Sequence, residues 1–297
     1  MSAQPSAVTS EQTRPVGGRT GGFRPAVRRQ RARLPFRVEL SRQLQRRRTQ
    51  VVFALLAALP FILAGAFTLG DSGNADTFVA RATSSGANFA LFSVFVTATF
   101  LDVVLVALFF GDTVASEANW SSLRYLLAVP VPRGRLLAVK ACVAALLSAA
   151  GLLVLPAIAF GLGSLLYGGN PLRTPFGSEL DPGPGAARIA VAVGYLGVHL
   201  LWVAGLALLL SVSMDSPLGA VGTTVLIYIV FSILNQISAL DAARPYLPEN
   251  YILGWVSLFS PVPDWSQMAW GTFTGLAYGM TFALLAAFRF ARRDIVS

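Results

Sequence analysis

Arg46-Arg47-Arg48-Thr49-Gln50-Val51-Val52-Phe53-Ala54-Leu55-Leu56-Ala57-Ala58-Leu59-Pro60-Phe61-Ile62-Leu63-Ala64-Gly65-Ala66-Phe67-Thr68-Leu69 passes within a few residues from pure charge to unbroken hydrocarbon. Three arginines stop abruptly at an apolar run of the length a helix needs to cross a bilayer, about 20 residues. Five more windows meet the same need, so spans are expected at roughly 51–69, 86–111, 139–168, 186–212, 217–240 and 268–290. Composition agrees: 12% of the 297 residues are charged and 55% apolar, with a mean hydropathy of +0.63. A soluble protein carries about 25% charged residues. The chain therefore reads as an all-α integral membrane protein with six transmembrane helices. The first apolar run begins fifty residues in, with no small-residue cleavage site after it, which predicts a retained span and not a signal peptide. Pro156 predicts a kink or break in the third span. Ser216-Pro217 marks a helix start for the fifth.

Six spans place both termini on one side. The N-terminal region, the loops after spans two and four, and the C-terminus then hold 19 of the 23 basic residues, leaving Arg81, Arg173, Arg188 and Arg244 opposite. Basic residues accumulate in cytoplasmic loops, so both termini are expected in the cytoplasm and the chain in the plasma membrane. Twelve arginines fall within residues 1–50 against only Glu11 and Glu39. Beside an apolar run, such a cluster points to an anionic membrane surface and not to nucleic acid. Residues 1–33, rich in Ser, Pro, Gly, Thr and Arg, are expected to form a disordered basic tail, and 34–297 the membrane domain. Within 34–48, Phe36, Leu40 and Leu44 recur every four residues while Arg37, Arg42, Arg46 and Arg47 take other faces. This predicts an N-terminal amphipathic helix on the inner membrane surface.

Several chemistries are excluded. One cysteine, Cys142, allows neither an intrachain disulfide nor a multi-Cys metal site, and its apolar surroundings predict a small buried packing residue. One histidine, His199, rules out His-pair metal centres. The single lysine, Lys140, stands in a Val-Lys-Ala context, so the chain has no phosphate-binding loop of the Gly-Lys-Ser/Thr kind. A hydrolase or transferase would need a nucleophile with its base, or clustered carboxylates. The chain is thus expected to be non-enzymatic and to bind no cofactor of its own.

Polar residues within spans are expensive and mark pathways or interhelical contacts. Asp102, in the middle of span two, is a candidate pathway residue, with a neutral or hydrogen-bonded packing role as the alternative. His199, on one helical face with Tyr195 and Trp202, is expected to be a hydrogen-bonded interior residue. Gly271, Gly275, Gly279, Ala283 and Ala287 form a small-residue face on span six, expected to pack within the subunit. On the outside, apolar residues 252–260 are too short to span and predict short helices dipping into the outer leaflet, with a plain aromatic-anchored loop as the alternative. Trp255, Trp265, Trp270, Tyr246 and Tyr251 are expected as their interfacial belt.

The loop after span two runs Gly111-Asp112-Thr113-Val114-Ala115-Ser116-Glu117, then Asn119-Trp120-Ser121-Ser122-Leu123-Arg124-Tyr125-Leu126-Leu127, and on through Pro130-Val131-Pro132-Arg133-Gly134-Arg135 to Lys140. Trp120, Leu123 and Leu127 share one face of a helix that Pro130 and Pro132 should end. A helix with one apolar face, held outside the bilayer, is built to press on a partner.

This pattern resembles the permease subunits of type-2 ABC exporters. In that family a Glu precedes a Leu-Arg-Tyr-Leu-Leu-like run, followed by a Pro-containing basic turn and a Lys opening the third span. Glu117, Leu123, Arg124, Tyr125, Leu126, Leu127, Pro130, Arg133 and Lys140 stand at those positions. The stretch from Glu39 to Arg48 and the terminal Phe290-Ala291-Arg292-Arg293-Asp294-Ile295 are also similar, and Ser121-Ser122 replaces a frequent Gly-Thr. The resemblance implies a dimer with a second copy or a sister permease, each docking a cytoplasmic ABC ATPase through this coupling helix. ATP and Mg would be bound on the partner subunit. Trp120, Leu123 and Leu127 would dock, with Glu117 and Arg124 as orienting charges. Asn235 and Gln236, on a span that lines the central cavity in this architecture, are candidate substrate contacts, with interhelical or interfacial hydrogen bonding as the alternative. Mostly apolar spans favour a drug, lipid or amphipathic peptide as the exported substrate. The alternative is an ion- or proton-coupled secondary transporter centred on Asp102. Against it, the chain lacks paired halves with matching broken helices.

Overall fold

The computed structural model describes residues 36–69, 78–119 and 133–292. Its helices are α1 (Phe36–Leu44), α2 (Arg47–Leu69), α3 (Phe78–Ala82), α4 (Gly86–Ala98), α5 (Leu101–Asn119), α6 (Arg133–Tyr167), α7 (Pro182–His199), α8 (Leu201–Ser213), α9 (Pro217–Gln236) and α10 (Ser266–Arg292). A two-residue hairpin, β1 (Leu172–Arg173) with β2 (Glu179–Leu180), joins α6 to α7. Among the described residues, five helical stretches are long and apolar enough to cross a membrane, and α4 with α5 makes a sixth when counted as one bent span. An all-α, multi-pass membrane protein is what these lengths support. The expected basic tail, residues 1–33, lies outside the described residues.

The windows read from hydropathy fall on these helices, but α2, α6 and α7 begin four to six residues earlier, α5 runs on to Asn119, eight residues past the second window, and α9 stops at Gln236, four residues short of 240. α9 starts as expected: Ser216 accepts from the Gly219 amide, and Pro217 takes the first turn, where its missing N–H costs nothing. Pro156 does not break the third span; it lies inside the 35-residue α6. The break comes instead in span two, where α4 and α5 meet at 58°. No proline stands there. Ser93 donates its hydroxyl to the Phe89 carbonyl, and Thr97 to those of Ser93 and Val94. Such back-bonding competes with the helix ladder and bends it.

Lipid gives helices no hydrophobic reason to associate, so close packing by small residues matters most. α10 lies against α7 and α8 through Gly271, Gly275 and Gly279, the intrasubunit contact expected for this face. A Cβ on Gly275 would stand 2.7 Å from the His199 carbonyl oxygen, and one on Gly205 would stand 2.5 Å from that of Gly279. His199 is fully buried; its Nδ1 lies 3.0 Å from the Gly271 carbonyl and its ring stacks on Tyr195. Cys142, expected to be buried, is exposed on α6.

Between α9 and α10 the chain forms 3-10 turns at Ser238–Leu240, Arg244–Tyr246, Pro248–Tyr251 and Gly254–Phe259. These turns return into the bundle. Tyr195 of α7 donates to the Tyr251 carbonyl, and Tyr228, more than halfway along α9, meets Glu249. Trp255 and Tyr251, expected in an interfacial belt, are therefore buried core residues, while Trp265, Trp270 and Tyr246 are exposed. Apolar side chains of a short turn are covered once the turn folds inward, and hydropathy alone does not reveal that.

Candidate functional site

The residues with the least expected surroundings lie where α1, the end of α5 and the start of α6 meet. α1 carries Glu39 and Arg42 one turn apart, and Arg46 follows a further turn on. Glu39, not the Phe36-Leu40-Leu44 stripe, is the buried residue of α1: Phe36 and Leu44 are exposed, and Glu39 is 1% exposed. Its Oε1 accepts from Lys140 Nζ at 3.0 Å and from Gln43 Nε2 at 3.2 Å. Lys140 Nζ also donates to Glu117 Oε1 at 3.1 Å, and Arg42 Nη2 lies 2.9 Å from that same oxygen. One turn earlier on α5, Asp112 is held by Arg46 Nη1 at 2.7 Å and Arg48 Nη1 at 2.8 Å.

Three carboxylates and four cations thus share one site, with the side chains of Glu39, Glu117 and Lys140 at 3% exposure or less. Isolated, each would carry a desolvation penalty of several kcal/mol; interleaved, each faces opposite charge and a hydrogen-bond partner. The arrangement is a clamp. Glu117 precedes residues 120–132 and Lys140 follows them, so both flanks of that segment are fastened to each other and to α1. A further tie joins the second flank to the end of α10, where Arg133 Nη1 donates to the Ala291 carbonyl at 3.0 Å.

Of the residues singled out from sequence, Glu117 belongs to this clamp and points into the chain. Trp120, Leu123, Arg124 and Leu127 lie outside the described residues. Asp102 is buried in the middle of the second span, as expected, in the first turn of α5 just past the break. A carboxyl there meets the positive end of the α5 dipole. About 22 Å of helix separates it from Glu117. Asn235 and Gln236 end α9; the Asn235 Oδ1 is buried without a hydrogen-bond partner, and Gln236 is exposed. The structure does not bring these three residues into the clamp. An almost wholly apolar cavity of about 190 Å³ lies elsewhere, between α3, α4 and the Gly254–Phe259 turn, lined by Phe92, Phe95 and Trp255 among others.

Sequence reasoning missed Glu39, Asp112 and Lys140 as a unit. Two signals were present: Glu39, Arg42 and Arg46 recur at helical spacing, and the chain's one lysine opens a span beside arginines everywhere else. An ammonium is a compact point charge that two carboxylates can share, where a guanidinium fork would demand more room.

The fold and this site define a multi-pass helical membrane protein whose N-terminal helix is locked by buried ion pairs to both flanks of a connecting segment. The chain belongs to the family described as "Protein of unknown function (DUF2705)", whose profile matches residues 55–296. No curated protein matches it.

Proposed function

We propose that this chain is the membrane-spanning permease subunit of a type-2 ABC exporter. One observation carries the reading: the ionic clamp that fastens α1 to both flanks of residues 120–132, the segment with the coupling-helix pattern. A docked ATPase that pushes on a loosely tethered loop moves only the loop. With Glu117 and Lys140 tied to each other and to Glu39, displacement of the segment moves α5, α6 and α1 together. Trp120, Leu123 and Leu127 are the docking face in this reading. Glu117 acts as a positioning residue inside the clamp, with Arg124 the orienting charge. α1, its Phe36, Val38 and Leu44 exposed, lies on the inner membrane surface. The positive-inside balance puts both termini in the cytoplasm of a plasma-membrane protein. ATP and Mg bind the partner ATPase, and a second permease completes the pathway, to which Asn235 and Gln236 contribute. Mostly apolar spans suit a drug, lipid or amphipathic peptide, moved outward.

The test is a mild-detergent pull-down of the tagged native protein with sequencing of bound chains. A subunit containing a phosphate-binding loop is expected, and it is expected to be lost when Leu123 and Leu127 both become Asp. Those positions lie outside the clamp, so loss of the partner with the permease still monodisperse separates docking from folding. Glu117→Lys is a poorer test, because it inverts a buried charge beside Lys140.

Asp102, buried at the head of α5, favours a second reading as an ion- or proton-coupled secondary transporter. The two readings part at Asp102→Asn. This change is expected to leave ATP-driven export within about twofold of wild type, since a shape-conserving substitution away from critical contacts costs little. Recovery of the chain without an ATPase, with gradient-driven transport in liposomes abolished by Asp102→Asn, would instead establish the second reading.

A further inference from the structure

The turn Pro248–Tyr251 carries Glu249 into the bundle, where it is 4% exposed. Its Oε1 lies 2.8 Å from the Tyr228 hydroxyl, while its Oε2 has no hydrogen-bond partner. The same Tyr228 hydroxyl is also hydrogen-bonded to the main-chain carbonyl of Thr99, at the break between α4 and α5. A phenol has one hydrogen, and a carbonyl oxygen can only accept. Tyr228 therefore spends its hydrogen on Thr99. The contact with Glu249 is a hydrogen bond only if the hydrogen comes from Glu249.

We infer that Glu249 is a proton-binding site, which holds a proton as the neutral acid and, through Tyr228, fastens the outer turns to the break in the second span. The proton is the ligand and the hydrogen-bond order is Glu249 to Tyr228 to Thr99. An orphaned Oε2 agrees with this state, since a neutral acid leaves far less charge unsolvated than a carboxylate.

The surroundings supply no compensating charge among the described residues. On α9 the neighbour is Tyr228 itself. On α10, Tyr278 donates to the Tyr246 carbonyl at 2.8 Å. In the preceding turn, Arg244 is paired with Asp241 at 2.8 Å and Tyr246 is exposed. Within its own turn, Tyr251 donates to the Pro245 carbonyl. Across the break, Asp102 follows Thr99 by three residues and adds a carboxyl, not a cation. Burial pushes the Glu249 carboxyl up to about 8, and the hydrogen bond that Tyr228 can give to the ionised form pulls the other way.

Ionisation has a defined consequence. The Glu249 O–H bond breaks and its proton leaves to water. The Tyr228 hydrogen then turns from the Thr99 carbonyl to the new carboxylate, and the bend in span two loses its brace. The folded protein keeps this proton at pH values where an unfolded chain has released it. Glu249's contribution to stability is therefore full below the ordinary carboxylate range, declines as pH rises, and is lost once pH passes about 8.

The test is infrared difference spectroscopy of the full chain in lipid nanodiscs across a pH titration. A carboxylic-acid C=O band is expected at neutral pH, lost near pH 8 and absent in Glu249→Gln. Glu249→Gln keeps a donor for Tyr228, so it retains the fold, and Asp102→Asn assigns any band from the buried acid nearest the break, the carboxylates of the clamp being ion-paired. Tyr228→Phe removes the group that stabilises the carboxylate and is expected to shift the loss of the band to higher pH. Hydrogen exchange at residues 97–103, compared between wild type and Glu249→Gln at each pH, is expected to accelerate only in wild type above the transition. A neutral-pH spectrum that Glu249→Gln leaves unchanged would overturn the site. A titration indifferent to Tyr228→Phe, or equal exchange in both proteins, would overturn its link to the break.

Discussion

Lys140→Met is expected to destabilise the protein by about 3–5 kcal/mol, the cost of removing one partner from a buried ion pair. Met keeps the length and apolar stem of the side chain, so the change isolates the charge. What remains is Glu39 and Glu117, both nearly inaccessible, with Arg42 at the rim as their nearest cation among the described residues: 2.9 Å from Glu117 but 3.7 Å from Glu39, and itself half exposed. One carboxylate must then take up a proton or drag water inward. Thermal unfolding in detergent, followed by size-exclusion profile, reads the effect directly. Glu39→Gln added to Lys140→Met is expected to restore part of the loss, because the double variant no longer buries an unpaired charge on α1; that non-additivity is the signature of direct contact. Raising salt is expected to leave wild type nearly unchanged, since ions screen exposed pairs far more than buried ones. A Lys140→Met protein within about 0.5 kcal/mol of wild type, the range of an ordinary surface change, would mean that the clamp does not hold the helices together.

Gly275→Leu is expected to abolish the folded bundle. A Cβ there would meet the His199 carbonyl oxygen at 2.7 Å, the His199 Cα at 2.9 Å and the Val198 carbonyl oxygen at 3.0 Å. These are backbone atoms, which cannot rotate aside. α10 would have to move off α7 and α8, breaking the contact of His199 with the Gly271 carbonyl and opening the Gly205–Gly279 approach. Overpacking of an ordinary core costs about 1–3 kcal/mol. A collision with backbone, repeated along one helix, exceeds that range. Gly222→Leu is the control, because nothing stands within 4 Å of a Cβ at Gly222. Yield and monodispersity in mild detergent are expected to collapse for Gly275→Leu and to stay normal for Gly222→Leu. Equal behaviour of the two would remove the α10 glycines from the packing account.

The two results bear on how far sequence reaches. Gly275 was legible as part of a small-residue face, because four-residue spacing is a local property of one helix. Which helix it meets was not, since any facing backbone would accept that stripe. Glu117 was legible as a notable charge beside an apolar-faced segment, yet its direction was not. Docking charge and buried pair differ only in the rotation of α5 about its axis, which packing against α6 and α1 sets. Asp102 shows the same limit: its burial follows from hydropathy, but its place at a helix start depends on a break made by Ser93 and Thr97 without any proline. Pro156 illustrates the reverse: a residue that could have marked a break lies inside the unbroken 35-residue α6.

Hydropathy and charge were enough to read the class of protein: a helical membrane chain, the approximate positions of its spans, and a basic N-terminal side. Those features depend on hydropathy summed over about 20 neighbouring residues, and neighbours in sequence are all that such a sum requires. Only the tertiary structure decided that Lys140 joins Glu39, 101 residues earlier, to Glu117, and that Glu249 reaches Tyr228 and the break in span two. Contacts of that kind rest on the azimuth and depth of several helices at once. In a bilayer, which gives little preference among apolar faces, close packing and the need to pair buried polar groups choose them.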